Sequence, residues 1–194
     1  MATWKEITAN NPAHSENYAQ RWRDMQAAGE DIYGEARLVD AMAQRGSKIL
    51  DAGCGQGRLG GYLAKQGHEV YGIDIDPILI GYAQAENPEA NWSVGDLSAD
   101  PLPATDFDLI FSAGNVMGFL AEEGRIPALQ HIHDGLAADG RAIIGFGAGR
   151  GWAFGDFITQ AEEVGLELEN AYESWELHPF TPESTFLVAV FTKK

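Results

Sequence analysis

From Lys48 onward, short β-rich runs alternate with stretches that carry apolar residues at helical spacing. The predicted strands are Lys48–Asp51, Glu69–Asp74, Asn91–Val94, Phe107–Ser112 and Arg141–Phe146, with Phe186–Thr192 closing the chain. The predicted helices between them are Leu59–Gln66, Ile78–Glu86, Gly124–Ala137 and Phe154–Val164. This alternation predicts right-handed βαβ crossovers, and therefore an α/β fold with a mostly parallel sheet covered by helices on both faces.

The two ends of the chain depart from this alternation. Tyr172–Leu177 and Ser184–Thr192 are separated only by the six residues 178–183, too few for a helical crossover, so we expect an antiparallel pair. Before Lys48, two predicted helices, Ser15–Ala27 and Gly34–Gln44, indicate an N-terminal helical cap. With 194 residues, we expect one domain: the cap at 1–45, a ligand-binding core at 46–147, and a C-terminal helix and strand pair at 148–194.

The formal charge of -16 narrows the set of partners. A chain this acidic repels polyanions, so we expect neither nucleic acid nor a membrane as a partner, and a small or cationic ligand suits the field better. Cys54 is the one cysteine, which excludes an intrachain disulfide and a zinc site built from several thiolates. The sequence has neither an apolar leader nor an apolar run long enough to span a membrane. Together with the single cysteine, this predicts a cytoplasmic protein without a metal site.

The first predicted strand runs into Gly53-Cys54-Gly55-Gln56-Gly57 and then into a helix that opens near Arg58. Glycines in such a turn allow positive φ and let a ligand approach the backbone closely. The second strand ends at Asp74, 21 positions after Gly53, against roughly 20 expected for a carboxylate that binds ribose hydroxyls. The pair predicts a nucleotide site; the alternatives are a loop built only for packing and an aspartate that only caps the turn before Asp76-Pro77.

The register of the glycines distinguishes between two nucleotides. Residues 55–60 match the literal G-x-G-x-x-G pattern of dinucleotide sites, but Gly55 comes four residues after the strand's last residue, late for that turn. The register that begins at Asp51 aligns better, and a carboxylate there repels a pyrophosphate. It favours a ligand that carries an ammonium group, which makes S-adenosylmethionine a better candidate than NAD.

These residues resemble the class I S-adenosylmethionine-dependent methyltransferases, whose signature Ile-Leu-Asp-Ala-Gly-Cys-Gly-x-Gly is matched at Ile49–Gly57. The resemblance covers roughly Lys48 to Gly147 and continues at Val70–Asp76, Gly95–Leu97, Phe107–Ser112 and Leu136–Arg141. It implies the doubly wound, Rossmann-like methyltransferase fold, with a mostly parallel seven-stranded sheet and an antiparallel last strand. It also implies methyl transfer from S-adenosylmethionine by in-line displacement.

The resemblance further implies that the methyl donor lies across the C-terminal ends of the first strands. In such a site Asp96 accepts from the adenine amino group beside the Leu97 backbone, and Ser112 and Ala113 approach the sulfonium. On the predicted cap, Tyr18 or Arg21 could meet the donor's carboxylate, although Tyr18 and Trp22 could equally pack the cap onto the core. The expected cofactor-binding residues are Asp51, Gly53, Cys54, Gly55, Gly57, Asp74, Ile75, Asp96, Leu97, Ser112, Ala113, Tyr18 and Arg21.

The acceptor is not identified by the sequence. No Asn-Pro-Pro-Tyr or Asp-Pro-Pro-Tyr run indicates a nucleic-acid base, so a small molecule is the expectation and a protein acceptor is the alternative. The acceptor side is expected at the N-terminal helix, Asn115–Leu120, Gly147–Ala153 and the turn at His178. His178 is a weak candidate for a general base, needed only if the acceptor arrives protonated. Asp108 and Arg58 are expected to be structural. An NAD(P)-dependent oxidoreductase and a non-enzymatic S-adenosylmethionine binder stay open as alternatives, as does the oligomeric state.

Overall fold

A computed structural model describes residues 2–194. The strands are β1 Lys48–Ala52, β2 Glu69–Asp74, β3 Asn91–Val94, β4 Phe107–Ser112, β5 Leu136–Gly147, β6 Leu166–Tyr172 and β7 Phe186–Lys193. The helices are α1 Trp4–Asn10, α2 His14–Ala27, α3 Gly34–Met42, α4 Arg58–Lys65, α5 Pro77–Glu86, α6 Arg125–Gly135 and α7 Phe154–Glu163, with 3-10 turns at Val116–Phe119 and Glu122–Gly124. In the described residues no helix has both the length and the apolar character needed to cross a membrane.

The seven strands form one sheet in the order β3-β2-β1-β4-β5-β7-β6. β1 pairs in parallel with β2 and β4, and β7 runs antiparallel to both β5 and β6. This is the predicted seven-stranded sheet with an antiparallel last strand. The strands β1, β2, β3 and β4 run in the same direction, so their carboxyl ends meet at one edge of the sheet, where ligands of open α/β sheets bind.

The central strands are apolar along their whole length because helices cover both faces. Ile49, Leu50, Ile110 and Phe111 are all fully buried. Leu50 and Ile110 belong to one apolar cluster, while Ile49 and Phe111 belong to the cluster on the opposite side. Burial on both faces is typical of parallel strands, and it makes this part of the sheet a rigid base for the loops at its edge.

The predicted bounds of one strand and one helix in the second half of the chain were wrong. The strand that pairs with β7 is Leu166–Tyr172, whereas 173–177 lies in a turn in which Leu177 has a φ of 65°. Gly165, with a φ of 96°, reverses the chain directly after α7 and starts this strand early. Helix α6 ends at Gly135 rather than continuing to 137, and the predicted stop at 139–140 lies inside β5.

The predicted start of α5 is confirmed. Asp76 accepts hydrogen bonds from the Ile78 N–H at 2.9 Å and the Leu79 N–H at 3.3 Å, and Pro77 occupies the first helical position. Both features are typical N-terminal signals, since the proline lacks an N–H that would otherwise need a partner.

Helix α1 was missed by the sequence analysis. Its start is closed by a capping box, in which the Glu6 N–H donates to Thr3 Oγ1 at 3.3 Å and the Thr3 N–H donates to Glu6 Oε2 at 2.7 Å. The Trp4 indole donates from Nε1 to Asp76 Oδ2 at 2.8 Å. These contacts hold α1 across the carboxyl edge of the sheet, beside α2.

Candidate active site

A cavity of about 610 Å³ opens at the carboxyl ends of the parallel strands. This volume is typical of sites for small molecules. Of the residues predicted to bind the cofactor, those that line it are Tyr18, Arg21, Gly53, Gly55, Asp74, Ile75, Asp96, Leu97 and Ala113. The cavity therefore brings together residues that follow four neighbouring strands with two from α2.

The glycine loop after β1 forms one wall. Gly53 and Gly55 have φ values of 85° and 55°, which side chains other than glycine rarely adopt. The Gly53 N–H donates to the Ile73 carbonyl at 2.8 Å, which ties the loop to β2. A Cβ on Gly53 would lie 2.3 Å from Val116 Cγ2, so the two loops can approach each other only with glycine at this position.

Asp74, at the end of β2, faces the cavity and holds the glycine loop. Its Oδ2 accepts from the Gly55 N–H at 2.8 Å, and its Oδ1 accepts from the Asp76 N–H at 2.9 Å. Burial raises the pKa of Asp74 to about 6. Each carboxylate oxygen has a further lone pair, so Asp74 can still accept hydrogen bonds from the two hydroxyls of a ribose.

Asp96, after β3, is held by two neighbours. Its Oδ1 accepts from the Ser98 N–H at 3.0 Å, and its Oδ2 forms an ion pair with Lys5 Nζ at 2.9 Å. Partial burial works to raise the pKa of Asp96, but the hydrogen bonds from Ser98 and Lys5 outweigh it and leave this pKa below its ordinary value. Asp96 is therefore an anion at neutral pH, and α1 closes over it.

Asp51 lies deeper, beside a small cavity of about 20 Å³ that shares Tyr18, Gly53 and Ala113 with the large one. Its side chain is buried, and Oδ2 accepts from the Gly60 N–H at 3.0 Å. Burial raises the pKa of Asp51 to about 7. The space is about the size of one water molecule or one ammonium group.

Gln56 and Cys54 also line this small cavity. Gln56 donates from Nε2 to the Ala19 carbonyl at 3.1 Å, while its buried Oε1 accepts no hydrogen bond from residues 2–194. Burial raises the pKa of the Cys54 thiol well above its ordinary value, so the thiol stays protonated and unreactive. The small cavity thus presents the oxygens of Asp51 and Gln56 as acceptors.

Tyr18 and Arg21 lie one turn apart on α2, and both face the large cavity. The Tyr18 ring packs edge-on against Trp4, with 5.6 Å between the ring centroids, so Tyr18 also performs the packing role considered from the sequence. Burial raises the pKa of Tyr18, which keeps its phenol a neutral hydrogen-bond donor.

Three predicted site residues line neither the large nor the small cavity. Gly57 is buried, and a Cβ there would lie 2.9 Å from Ala83 and 3.0 Å from Trp92, so this glycine serves helix packing. Ser112 is buried and donates to the Ala52 carbonyl at 2.8 Å. His178 is exposed on the turn before β7 and lines neither the large nor the small cavity.

The two residues expected to be structural have structural contacts. Asp108 accepts from the Lys48 N–H at 2.7 Å, which joins the starts of β4 and β1. Arg58 pairs with Glu35 at 3.2 Å and stacks on the Trp22 ring, with its Cζ 3.9 Å from the ring centroid. The expectation for Asp108 is confirmed, while Arg58 has the expected packing contacts and also lines the small cavity beside Asp51.

Several lining residues were not singled out as site residues from the sequence. Trp4, Lys5 and Arg150 belong to no motif, Gln56 occupies the unspecified position of the glycine motif, and the positions of all four side chains depend on tertiary contacts. Asn115 gives a local signal in the structure: its φ of 66° is unusual for a residue other than glycine, and its Oδ1 accepts from the Gly147 N–H at 2.7 Å. It joins the loops after β4 and β5, which flank the cavity.

In residues 2–194, no group of three or more His, Cys, Asp or Glu side chains is arranged to hold a metal ion. The Nδ1 of His131, on α6, lies 2.8 Å from the Leu97 carbonyl oxygen, and His131 so supports the loop after β3.

Comparison with known proteins places this geometry in a family. Residues 49–140 match the methyltransferase domain family. A TehB-like SAM-dependent methyltransferase from Corynebacterium glutamicum, known from a crystal structure, is 75% identical over 95% of this chain and 100% of its own, with a TM-score of 0.93.

More distant relatives match only the core. An uncharacterized methyltransferase of Synechocystis sp. is 30% identical over 93 residues, 48% of this chain and 44% of the relative. A malonyl-[acyl-carrier protein] O-methyltransferase of Enterobacter lignolyticus is 31% identical over 78 residues, 40% of this chain and 31% of the relative. The chain thus spans less than half the length of these two curated relatives.

The extent of the match to the Corynebacterium protein, together with the signature loop and the seven-stranded sheet, decides the assignment. S-adenosylmethionine is the cofactor of this family. The chain is an enzyme that belongs to the class I S-adenosylmethionine-dependent methyltransferases.

Proposed function

We propose that the chain methylates a small-molecule acceptor and that S-adenosylmethionine binds in the large cavity. The observation that carries this proposal is the placement of Asp74, which holds the Gly55 N–H and also faces the cavity with free lone pairs. A ribose bound there would receive charge-assisted hydrogen bonds from one carboxylate. The adenine would then lie against Ile75 and Leu97, next to Asp96.

The donor's amino-acid end is proposed to lie toward the small cavity. The buried oxygens of Asp51 and Gln56 suit an ammonium group, and Tyr18 and Arg21 supply donors for a carboxylate. A cation next to Asp51 adds to the effect of Arg58, which also lines the small cavity, and lowers the pKa of this buried carboxyl further. The ammonium of the donor's amino-acid end would thereby meet the carboxyl of Asp51, and its carboxylate would meet the guanidinium of Arg21.

The chemistry asks little of the protein beyond alignment. The bound S-adenosylmethionine supplies a methyl group whose sulfur leaving group is already activated. The chain holds donor and acceptor in line and excludes water, for which Trp4 and Phe119 form an aromatic contact over the cavity, with 5.5 Å between the ring centroids. His14 lines the cavity and is placed to take up a proton from an acceptor that carries one, whereas His178 does not line the cavity.

The literal dinucleotide register gains no support from the packing. Its last residue, Gly60, lies inside α4, where a Cβ would lie 2.8 Å from the Trp92 ring, and its second, Gly57, serves helix packing. These two glycines therefore have roles that need no pyrophosphate.

Transfer of labelled methyl tests the proposed function. The protein is incubated with isotopically methyl-labelled S-adenosylmethionine and the small-molecule fraction of a cell extract, and the products are separated. We expect label in a small molecule. Asp74→Ala should lower the transfer at limiting donor, with recovery at excess donor. Binding of S-adenosylhomocysteine without transfer to any fraction would instead identify a non-enzymatic binder.

A further inference from the structure

Two arginines that face the large cavity have no counter-charge. Of the eight arginines in the sequence, Arg21 and Arg150 are the ones that form neither an ion pair nor a hydrogen bond with another of residues 2–194. The chain has 29 acidic residues against 13 basic ones, so carboxylate partners are plentiful. Two free guanidinium groups at one cavity therefore indicate that anionic groups bind there.

One of the two is accounted for by the proposed donor pose. Arg21 and Tyr18 are three residues apart on α2 and lie on the same face of the helix. Tyr18 lies next to Gly55, 3.5 Å from where a Cβ would be, so this face of α2 adjoins the glycine loop. Arg21 suits the single carboxylate of the donor, which leaves Arg150 without a role.

Arg150 is held in place by the segment on which it lies, residues 147–153, which runs from the last residue of β5 to the start of α7. At one end of this loop the Gly147 N–H donates to Asn115 Oδ1 at 2.7 Å. At the other end the Gly151 carbonyl accepts from Arg125 Nη2 at 2.7 Å, and Trp152 is buried. The side chain of Arg150 lies against Gly118, where a Cβ would come within 2.7 Å of Arg150 Cβ.

The other charged groups at the cavity do not neutralise Arg150. Lys5 pairs with Asp96, and Asp74 holds the glycine loop. Glu123 precedes Gly124, which packs against Ser98, so it belongs to the end of the cavity near Asp96. Arg150 lies instead beside the 3-10 turn after β4, where the acceptor is expected. His14 is the remaining titratable group on the α2 side.

We propose that the methyl acceptor is a small anion and that Arg150 binds its carboxylate or phosphate-type oxygens. This inference rests on the proposed function, because it takes the donor to fill the Asp74 side. A guanidinium presents a planar fork of donors that matches two oxygens of such a group. The overall charge of -16 repels anions, so a local arginine would be required to hold one.

Binding of simple anions to the protein saturated with S-adenosylhomocysteine tests the proposal. Calorimetry with malonate, benzoate and inorganic phosphate is compared with malonamide and benzamide at constant ionic strength. We expect at least one anion to bind and its neutral amide not to bind. A preference for the carboxylates or for phosphate identifies the group that Arg150 recognises.

Variants separate this inference from the proposed function. Arg150→Met should weaken binding of the anion roughly tenfold to a hundredfold, and Arg150→Lys should recover part of the loss. Arg37→Met, at an exposed pair with Asp31, is the matched control and should leave anion binding unchanged. Arg21→Met should weaken S-adenosylhomocysteine instead.

Each alternative result has a definite meaning. If S-adenosylhomocysteine does not bind, the proposed function fails. If it binds but no anion does, or if amides bind as well as anions, or if a folded Arg150→Met variant binds anions normally, the proposed acceptor class is wrong.

Discussion

Asp51 and Asp74 end neighbouring strands, and burial raises their pKa values to about 7 and about 6 from an ordinary value of 3.8. The folded chain therefore holds these protons more tightly than the unfolded chain. Their contribution to stability is fully present below about pH 4 and is lost as the pH rises through 6 to 7. At neutral pH and without bound donor, the ionised carboxylates of Asp51 and Asp74 therefore lower the stability of the folded chain, although the same two groups are proposed to bind the donor.

The cost of burying the Asp51 anion predicts that Asp51→Asn raises the stability of the donor-free protein and lowers its affinity for the ligand. At pH 8 the variant should raise the Tm of the donor-free protein by about 2 to 4 °C for each kcal/mol of relieved desolvation, and at pH 5 the difference should shrink. Affinity for S-adenosylhomocysteine should fall, because the ammonium loses its counter-charge. Thermal melts at both pH values and calorimetry measure the two effects.

The control is Asp156→Asn, an exposed acidic position in the first turn of α7. It should change neither the pH dependence of the Tm nor the affinity. An Asp51→Asn variant that is less stable at pH 8 than at pH 5, relative to wild type, would contradict the assigned cost of the buried anion.

At the residue scale, the sequence located the carboxylates at the strand ends, but not the side chains that tertiary contacts bring to the cavity. Asp74 and Asp96 follow strands in recognisable motifs, and both face the cavity. Gln56 sits within the motif, yet its unsatisfied oxygen is visible only in the folded chain. Gly57 belongs to the same motif but packs against Trp92. The motif alone therefore does not tell which of its glycines contacts a ligand.

At the scale of elements, α1 is the part that the sequence did not reveal. A helix of seven residues without apolar periodicity is unstable alone, so its formation depends on Trp4 and Lys5 reaching Asp76 and Asp96. Strand β6 was misplaced for a related reason, since its exposed residues weaken the apolar signal and Gly165 starts it early.

Substitutions at Trp4 test whether α1 is a cover for the bound donor. Trp4→Ala removes the indole hydrogen bond to Asp76 and the ring contacts with His14, Tyr18 and Phe119. We expect faster amide hydrogen exchange across residues 3–11 and faster dissociation of S-adenosylhomocysteine. Trp4→Phe keeps an aromatic ring and should show a smaller change. Equal dissociation rates for wild type and both variants would show that α1 does not restrain the donor.

At the scale of the whole molecule, the sheet was the most predictable feature. The alternation of strand and helix patterns predicted its parallel strands, and five strands were located within a few residues, because parallel strands buried on both faces give strong apolar signals. The antiparallel position of the last strand was expected both from the six residues that precede it and from the family resemblance, and it is confirmed, whereas the order of the strands was not predicted. The acceptor end is irregular loop, where apolar patterns carry little information.

The net charge of -16 makes a further prediction for the whole molecule. Many acidic side chains repel one another in the compact state, and salt screens this repulsion. The Tm of the donor-free protein should therefore rise as sodium chloride increases from about 10 to about 200 mM, over which the screening length falls from roughly 30 to below 10 Å. A Tm that falls over this range would mean that favourable ion pairs outweigh the repulsion.

The most direct test of the account is calorimetric titration of S-adenosylhomocysteine into wild type, Asp74→Ala and the exposed control Asp156→Ala. Loss of hydrogen bonds to a charged group costs about 1.5 to 3 kcal/mol, so we predict that Asp74→Ala binds roughly tenfold to more than a hundredfold more weakly. The control should bind as wild type does. Unchanged affinity in a folded Asp74→Ala variant would contradict the assignment of this carboxylate to the donor's ribose and, with it, the proposed orientation of the donor in the cavity.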